Sequence, residues 1–354
     1  EMHYDMEEND GDGKLDFHRF IFYIKHQFNS EWSMMSEVEI EHNMVGSYYL
    51  DSDCFWDTSA SPDANNCSTT EGGALNSKGG YVAMEQAYLN YWNGNWGWKG
   101  GVLLVPAGVT NEYHEPPTFM SVERPEYSKY VIPTTWFGNG FQFYGSMGDL
   151  SWKFNLSEDL LGSGVGEGVR GARAKGEDSY TTDWTKTIQL SWTGMEGLKV
   201  GGSVTMNDAP LFDDDDNVSG TVGINLTELN ATYTNNNIYA RMEYGTVNYA
   251  DNFLNDSGDQ VGAAGADGLN VYEVESSSGY YIDLGYDVSS MLGCDGKLMT
   301  WMRTSSYSKN DDNDAKDISL FGVTYWPNNN VSIKFETGES GDSDVMRMGL
   351  GYMF

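Results

Sequence analysis

The chain has 354 residues, with 20 Lys+Arg against 53 Asp+Glu for a formal net charge of −33, 21% charged and 14% aromatic residues, and 42 Gly. That charge argues against nucleic acid or an anionic lipid surface as a partner, and no run of about 18 apolar residues exists to form a transmembrane helix. Sparse Ala and Leu and missing i, i+3, i+4 stripes speak for an all-β chain. Its mean hydropathy of −0.50 remains compatible with a membrane barrel, in which only every second strand residue meets lipid.

The chain opens on Glu1-Met2-His3-Tyr4-Asp5, already strand-like and without a visible signal peptide, so it is expected to be processed or to lack a leading segment. Alternation predicts strands over 1–8, 14–28, 31–46, 80–92, 96–110, 135–146, 149–158 and 183–194. The second half adds 197–208, 218–235, 238–250, 276–291, 297–308, 316–326, 330–339 and 344–354. About sixteen strands in one domain spanning 1–354 give an even number with both termini on one side, as an antiparallel transmembrane barrel requires. Connections sort by length. Those at 29–30, 93–95, 145–148, 194–197, 235–237, 292–296 and 327–330 are tight, whereas 47–79, 111–134, 159–182 and 251–275 are long and fall on the opposite, external side.

Faces are legible where the alternation is clean. Phe20, Phe22, Ile24 and Phe28 oppose Arg19, Ile21, Tyr23, Lys25 and Gln27; Trp32, Met34, Val38 and Ile40 oppose Glu37, Glu39 and Glu41. Val331, Ile333 and Phe335 oppose Ser332, Lys334 and Glu336. An ion facing hydrocarbon costs roughly 2–4 kcal/mol at mid-membrane, so the charged faces are expected to line a wet lumen. Arg303, Lys334, Arg347, Arg19 and Lys25 near the closure would stand against Glu37, Glu39, Glu41 and Glu85, either setting up a transverse field or pairing with one another.

Several local patterns carry less. Residues 8–19 imitate a calcium-binding EF-hand loop, but Arg19 stands where a bidentate Glu is needed and both flanks read as strands, leaving an acidic hairpin tip. The acidic run Asp213, Asp214, Asp215 and Asp216 is expected to hold Ca2+ or Mg2+ loosely at most. Cys54 and Cys67 share one long loop and could close a disulfide ring worth roughly 3 kcal/mol in an oxidising compartment, and Cys294 stands apart. His114-Glu115 lacks the second His of a zinc-hydrolase motif, and residues 162–176 lack a phosphate-loop ending. With five scattered His, no catalysis or cofactor is expected.

Residues 111–134 hold four of the chain's eight Pro (Pro116, Pro117, Pro125 and Pro133), which fixes an irregular path. Together with Gly101-Val-Leu-Leu-Val-Pro-Ala-Gly108 before it and Ile132-Pro-Thr-Thr-Trp136 at its end, this region resembles bacterial outer-membrane porins related to the phosphate-selective group. Lys14-Leu-Asp-Phe-His-Arg-Phe20, Ser36-Glu-Val-Glu-Ile-Glu41 and Val169-Arg-Gly-Ala-Arg173 share that resemblance. It implies a sixteen-stranded homotrimer in a Gram-negative outer membrane, surrounded by lipid and lipopolysaccharide, whose third loop folds inward. It also implies His114, Glu115, Glu123, Arg124 and Lys129 at a constriction, and Arg170, Arg173 and Lys175 as a basic patch at the pore mouth. A full ladder of arginines, as phosphate-selective members have, cannot be assembled from so few basic residues.

The chain ends on Asp344-Val-Met-Arg-Met-Gly-Leu-Gly-Tyr-Met-Phe354, where Met346, Met348, Leu350, Tyr352 and Phe354 share one face. Arg347, Gly349, Tyr352 and Phe354 resemble the polar-x-Gly-x-x-aromatic-x-aromatic assembly signal of bacterial outer-membrane barrels. The expected function is passive diffusion of small hydrophilic solutes through a water-filled channel. One alternative is an oxyanion-selective pore carried by Arg124, Lys129, Arg170 and Arg173. Another is a structural or adhesive barrel whose acidic loops bind divalent cations or a surface partner.

Overall fold

The computed structural model describes residues 1–7, 14–41, 48–49, 76–77, 82–176, 179–213, 217–250, 275–309 and 315–353. The first half contains β1 (Met2–Glu7), β2 (Lys14–Asp16), β3 (Arg19–Gln27), β4 (Trp32–Glu41), β5 (Tyr48–Tyr49), β6 (Asn76–Ser77), β7 (Val82–Trp92), β8 (Trp96–Leu104), β9 (Phe137–Met147) and β10 (Leu150–Ser157). The second half contains β11 (Thr185–Met195), β12 (Leu198–Phe212), β13 (Val218–Asn235), β14 (Ile238–Tyr249), β15 (Ser276–Asp287), β16 (Lys297–Ser308), β17 (Lys316–Asn328), β18 (Val331–Ser340) and β19 (Ser343–Tyr352). Seventeen of these form one sheet, and β5 pairs with β6 separately.

All pairings in the large sheet are antiparallel between neighbouring strands, β4 joining β7 across the first long connection. At the chain ends β1 pairs with β2 on one side and β19 on the other, Met2 opposite Leu350 and Glu7 opposite Val345. β2 continues into β3 through Phe17 and His18, so these two are one stave, and seventeen strands close a ring of sixteen staves. At that break the backbone N–H groups of His18 and Arg19 donate to the Glu1 carbonyl at 2.9 and 3.4 Å. Closure removes the sheet edges that an open sheet of this size would expose.

The tight connections follow from their residues. Asn236 and Asn237 both adopt positive φ (51° and 66°), the backbone of a two-residue hairpin turn that Asn tolerates. Asn29 accepts the N–H groups of Glu31 and Trp32 at 2.9 Å each, and Asn93 holds Asn95 and Trp96 in the same way at 3.1 and 3.0 Å. Two predicted strands are too long. The strand expected over 96–110 stops at Leu104, because Pro106 has no N–H to continue the ladder and the chain turns inward. The strand expected over 276–291 stops at Asp287, whose carboxylate accepts the Ser289 N–H at 3.0 Å and starts a helical turn.

The outer surface is apolar in a band. Phe22, Ile24, Ile188, Leu190, Val200, Val204, Leu229, Met242, Met302, Phe321, Ile333, Met348 and Leu350 all point outward and are exposed. Above the band the outward positions become polar, as at Asp208, Asn225 and Asn248, facing the end with long loops. At the other end Trp32, Tyr91, Trp96 and Trp98 form an aromatic cluster with ring centroids 5.0–6.0 Å apart, and Trp192 and Tyr286 are exposed nearby along the same rim. An apolar belt edged by aromatics matches hydrocarbon flanked by an interface. No described helix is long and apolar enough to cross a membrane.

The interior is not wet throughout. Where β12 to β17 face inward, Ala209, Leu211, Val222, Ile224, Leu226, Val247, Tyr281, Trp301 and Leu320 pack against Val105, Met120, Tyr127, Ile132 and Trp136 of the 105–136 segment. Leu160, Val165 and Val169 of the next long segment join the same cluster. One side of the lumen is therefore a protein core, and the wet lumen expected around the whole circumference is confined to the rest.

Candidate functional site

The segment 105–136 enters the barrel from the rim, crosses it and returns. Its neck is closed by Asn111, which donates to the carbonyls of Val105 (2.8 Å) and Trp136 (3.1 Å) and accepts the Trp136 N–H at 2.9 Å. Short helical turns at Val109–Glu112, Pro116–Thr118 and Tyr127–Tyr130 shape the path that the prolines foreshadow.

Wall side chains then grip the loop's backbone. Lys334 donates to the Ser121 carbonyl at 2.7 Å and sits 3.9 Å over the Phe119 ring. Glu336 accepts the Val122 N–H at 2.6 Å. Arg303 reaches the Glu123 carbonyl at 3.2 Å while holding Asp283 with two bonds of 2.6 and 2.8 Å. Tyr307, Lys316 and Ser340 converge on Glu126 at 2.9, 3.0 and 2.9 Å. Wall glycines make room: a Cβ on Gly285 would stand 2.8 Å from the Met120 sulfur, and one on Gly349 would stand 3.1 Å from Val122. Gly349 thus serves the loop as well as the terminal pattern.

Across the lumen, the loop meets β3, β4 and β7. The Tyr23 hydroxyl donates to Glu115, and His114 Nε2 lies 3.1 Å from Glu85. Burial and the nearby Arg124 guanidinium push the His114 imidazole below the usual histidine range. Glu37, Glu39 and Glu85, expected to line the pore, are instead 0% exposed, sealed between wall and loop. Arg19 neutralises part of this group, bonding Glu1 at 2.9 Å and Glu39 at 3.2 Å. The Glu41 side chain lies outside the described residues.

On the long-loop side of the crossing lies a cavity of about 700 Å³. Eight cationic side chains line it: Arg19, Arg124, Lys129, Arg170, Lys175, Arg303, Lys316 and Arg347. Only Glu123 and Glu126 oppose them, with His18 and the hydroxyl residues Ser128, Thr134, Thr135 and Ser305 completing the polar wall. Glu126 would be raised by burial, but Lys316, Tyr307 and Ser340 hold it below the ordinary carboxylate range. Arg347 is paired with Asp5 (3.1 Å) and Glu336 (3.2 Å), whereas Arg124 bonds the Thr134 hydroxyl at 3.1 Å and makes no ion pair among the described residues. The lumen charges therefore both pair and leave a basic surplus at one place.

Sixteen closed staves, an apolar outer belt, sorted loops and an inward third loop define the architecture before any comparison. No family model matches the chain. An Aquifex aeolicus (strain VF5) protein described as uncharacterized is 25% identical over 380 residues, covering 100% of this chain and 78% of its own. OmpF of Salmonella typhi, solved with daunomycin, superimposes with a TM-score of 0.59 at 12% identity, covering 100% of this chain and 95% of its own. The anion-selective porin of Comamonas acidovorans gives 0.57 at 10% identity, with 100% and 96% covered. The trimer form of Vibrio cholerae OmpT, an outer membrane protein, gives 0.57 at 9% identity, with 100% and 96% covered. The fold is that of a porin.

Within this porin fold the expected residues separate into three groups. Glu123, Arg124, Lys129, Arg170, Lys175, Arg19, Arg303 and Arg347 meet at the basic cavity. Lys334 is buried against the loop backbone, and Arg173 is spent on the carbonyls of Thr134 (2.7 Å) and Thr135 (2.9 Å), fastening one loop to another rather than lining the cavity. Lys25 stands apart at the short-turn end, beside a second cavity of about 520 Å³ with Tyr88, Asn90, Lys99 and Tyr144. Lys316 and Glu126 escaped the sequence reading, since their contact spans 190 residues and follows no alternation rule. Cys54, Cys67, Asp214, Asp215, Asp216 and Phe354 lie outside the described residues. Asp213 accepts the Asn217 N–H at 2.8 Å within its turn, and Cys294 is free and exposed.

Proposed function

We propose that the protein is a porin of a Gram-negative outer membrane, through which small hydrophilic solutes diffuse passively and anions pass in preference. The observation that carries this is the basic cavity: eight Lys and Arg line it against two acidic residues, and while Arg19, Arg303, Lys316 and Arg347 are paired with carboxylates, Arg124, Lys129 and Arg170 make no ion pair among the described residues. Such a wall raises the local concentration of anions and lowers that of cations. The apolar belt and aromatic rim support a place in the bilayer, with lipid and lipopolysaccharide around the barrel. The trimer form of Vibrio cholerae OmpT supports a homotrimer. The test is reversal potential in a planar bilayer under a salt gradient: discrete openings with the sign of an anion-preferring channel are expected. A folded, inserted protein without conductance would overturn the channel, and a cation-preferring sign would overturn the preference.

A finer oxyanion preference is supported by the hydroxyls of Ser128, Thr134 and Thr135 beside Arg124, Lys129 and Arg170, donors that suit a tetrahedral anion. Block of chloride current by millimolar phosphate or sulfate would support it, and unaltered current would remove it.

A further inference from the structure

The contact between the inner loop and the β4–β7 wall poses a chemical problem. The Asn111 carbonyl can only accept, so the His114 Nδ1 that lies 2.8 Å from it carries a proton and donates. With that proton on Nδ1, Nε2 turns toward carboxylates. Nε2 lies 3.1 Å from Glu85 Oε2 and 3.7 Å from Glu115 Oε1. One imidazole nitrogen and several carboxylate oxygens therefore converge where wall and loop meet. Ligand atoms of Glu37, His114 and Glu115 all lie within 4.8 Å of one another. Glu37 is 0% exposed, and its Oε1, like Glu85 Oε1, is buried with no hydrogen-bond partner. Buried carboxylate oxygens without a donor, gathered beside an imidazole nitrogen, are costly unless a cation or a shared proton joins them.

We propose that His114, Glu37, Glu115 and Glu85 form a binding site for one divalent transition-metal ion that rivets the inner loop to the barrel wall. The donor set of one imidazole nitrogen with carboxylate oxygens suits ions such as Zn2+ or Mn2+ better than Ca2+ or Mg2+. The 3.1 and 3.7 Å separations of Nε2 from Glu85 and Glu115 bracket the about 3.4 Å that bonds of about 2.1 Å give in a tetrahedral shell, whereas wider spacings within the 4.8 Å cluster would close on binding. Each of three ligands is also held by an outer partner, as metal ligands are: His114 by the Asn111 carbonyl, Glu37 by the Gln86 amide and Glu115 by the Tyr23 hydroxyl. Arg19 is engaged with Glu1 and Glu39 and makes no ion pair with Glu37, Glu85 or Glu115 among the described residues. This site does not depend on the channel's selectivity, only on the loop's place inside the barrel.

The test uses the purified folded protein in detergent, stripped with chelator and titrated with Co2+ in millimolar Mg2+ and Ca2+ to compete for exposed carboxylates. One Co2+ per chain with a visible d–d absorption band is expected, displaced by Zn2+, and weakened at least about tenfold in His114→Gln and in Glu37→Gln. Glu115→Gln gives a second route should either variant fail to form the heat-modifiable barrel on a gel. No visible band in the wild type would overturn the site and leave the carboxylates sharing protons. A band retained in folded His114→Gln or Glu115→Gln would place the metal elsewhere and overturn it equally. Conductance of the metal-free protein, measured in parallel, separates failure of the rivet from failure of the channel.

Discussion

Changing Arg124, Lys129 and Arg170 together to Gln should reduce anion preference without unfolding the barrel, since none of the three makes an ion pair among the described residues. The magnitude follows from the cavity. Its volume of about 700 Å³ corresponds to a sphere of about 5.5 Å radius, so a wall charge sits roughly 6–7 Å from a central ion. In a water-like medium such a charge contributes about 0.6 kcal/mol, halved to about 0.3 by salt near 0.1 M. Three charges then shift anion occupancy about fivefold and cation occupancy about fivefold the other way, a change of about twentyfold in the permeability ratio. At 1 M salt the Debye length of about 3 Å shrinks that change to about twofold. The assay is reversal potential across a tenfold KCl gradient, run at low and high mean salt. A triple variant with wild-type conductance and an unchanged reversal potential at low salt would show that ions bypass the cavity, and the electrostatic account of selectivity would be wrong.

Three further outcomes can be stated. Arg303→Gln removes the partner of buried Asp283 and a clamp on Glu123, so it should destabilise the barrel by about 3–5 kcal/mol, read as a lower unfolding temperature of the heat-modifiable band and recovered in part by adding Asp283→Asn; an unchanged unfolding temperature would count against the clamp. Because the Glu126 carboxyl titrates below its unfolded value, its contribution is fully present above about pH 4.3 and is lost as pH falls through the lower folded value; channel noise should therefore be flat from pH 8 to pH 5, rise only below about pH 4, and lose that acid step in Glu126→Gln. Phe321→Lys, placing a charge on the outer belt at a residue 61% exposed, should cost about 2–4 kcal/mol and lower assembly into the membrane fraction, whereas normal assembly would move Phe321 out of the bilayer.

The strand faces were legible because alternation has a period of two and the wall keeps it: Ser332, Lys334 and Glu336 point inward, and Ile333 and Phe335 point outward, as their order alone dictates. Loop sorting was legible for the same local reason, since each Asn turn joins two strands a few residues apart. The environment met by an apolar face was not legible. In β13, Val222, Ile224 and Leu226 are buried on the inner face while Leu229 is 58% exposed on the outer one, so the greasy side of one strand changes from lumen to lipid partway along. Both environments exclude water, and hydrophobicity cannot distinguish packed protein from hydrocarbon. The grip on the loop was hidden too, because its partners, such as Lys334 with Ser121, are 213 residues apart in the chain.

A net charge of −33 and the proposed anion preference are compatible because screening makes the field local. With a Debye length of about 8 Å at physiological ionic strength, an ion in the cavity responds to the side chains lining it and hardly to acids on an outer loop. The fold enforces this separation. Acidic groups that point into the barrel are sequestered: Glu37, Glu39 and Glu85 lie sealed behind the inner loop, Asp283 is held by Arg303, and Glu336 is shared between Arg347 and the Val122 N–H. Cations on the same walls, together with Arg124, Lys129 and Arg170 on the loops, keep open space before them. The inner loop therefore does more than narrow the lumen. By covering one set of wall charges and leaving the other exposed, it sets the sign of the field in the cavity.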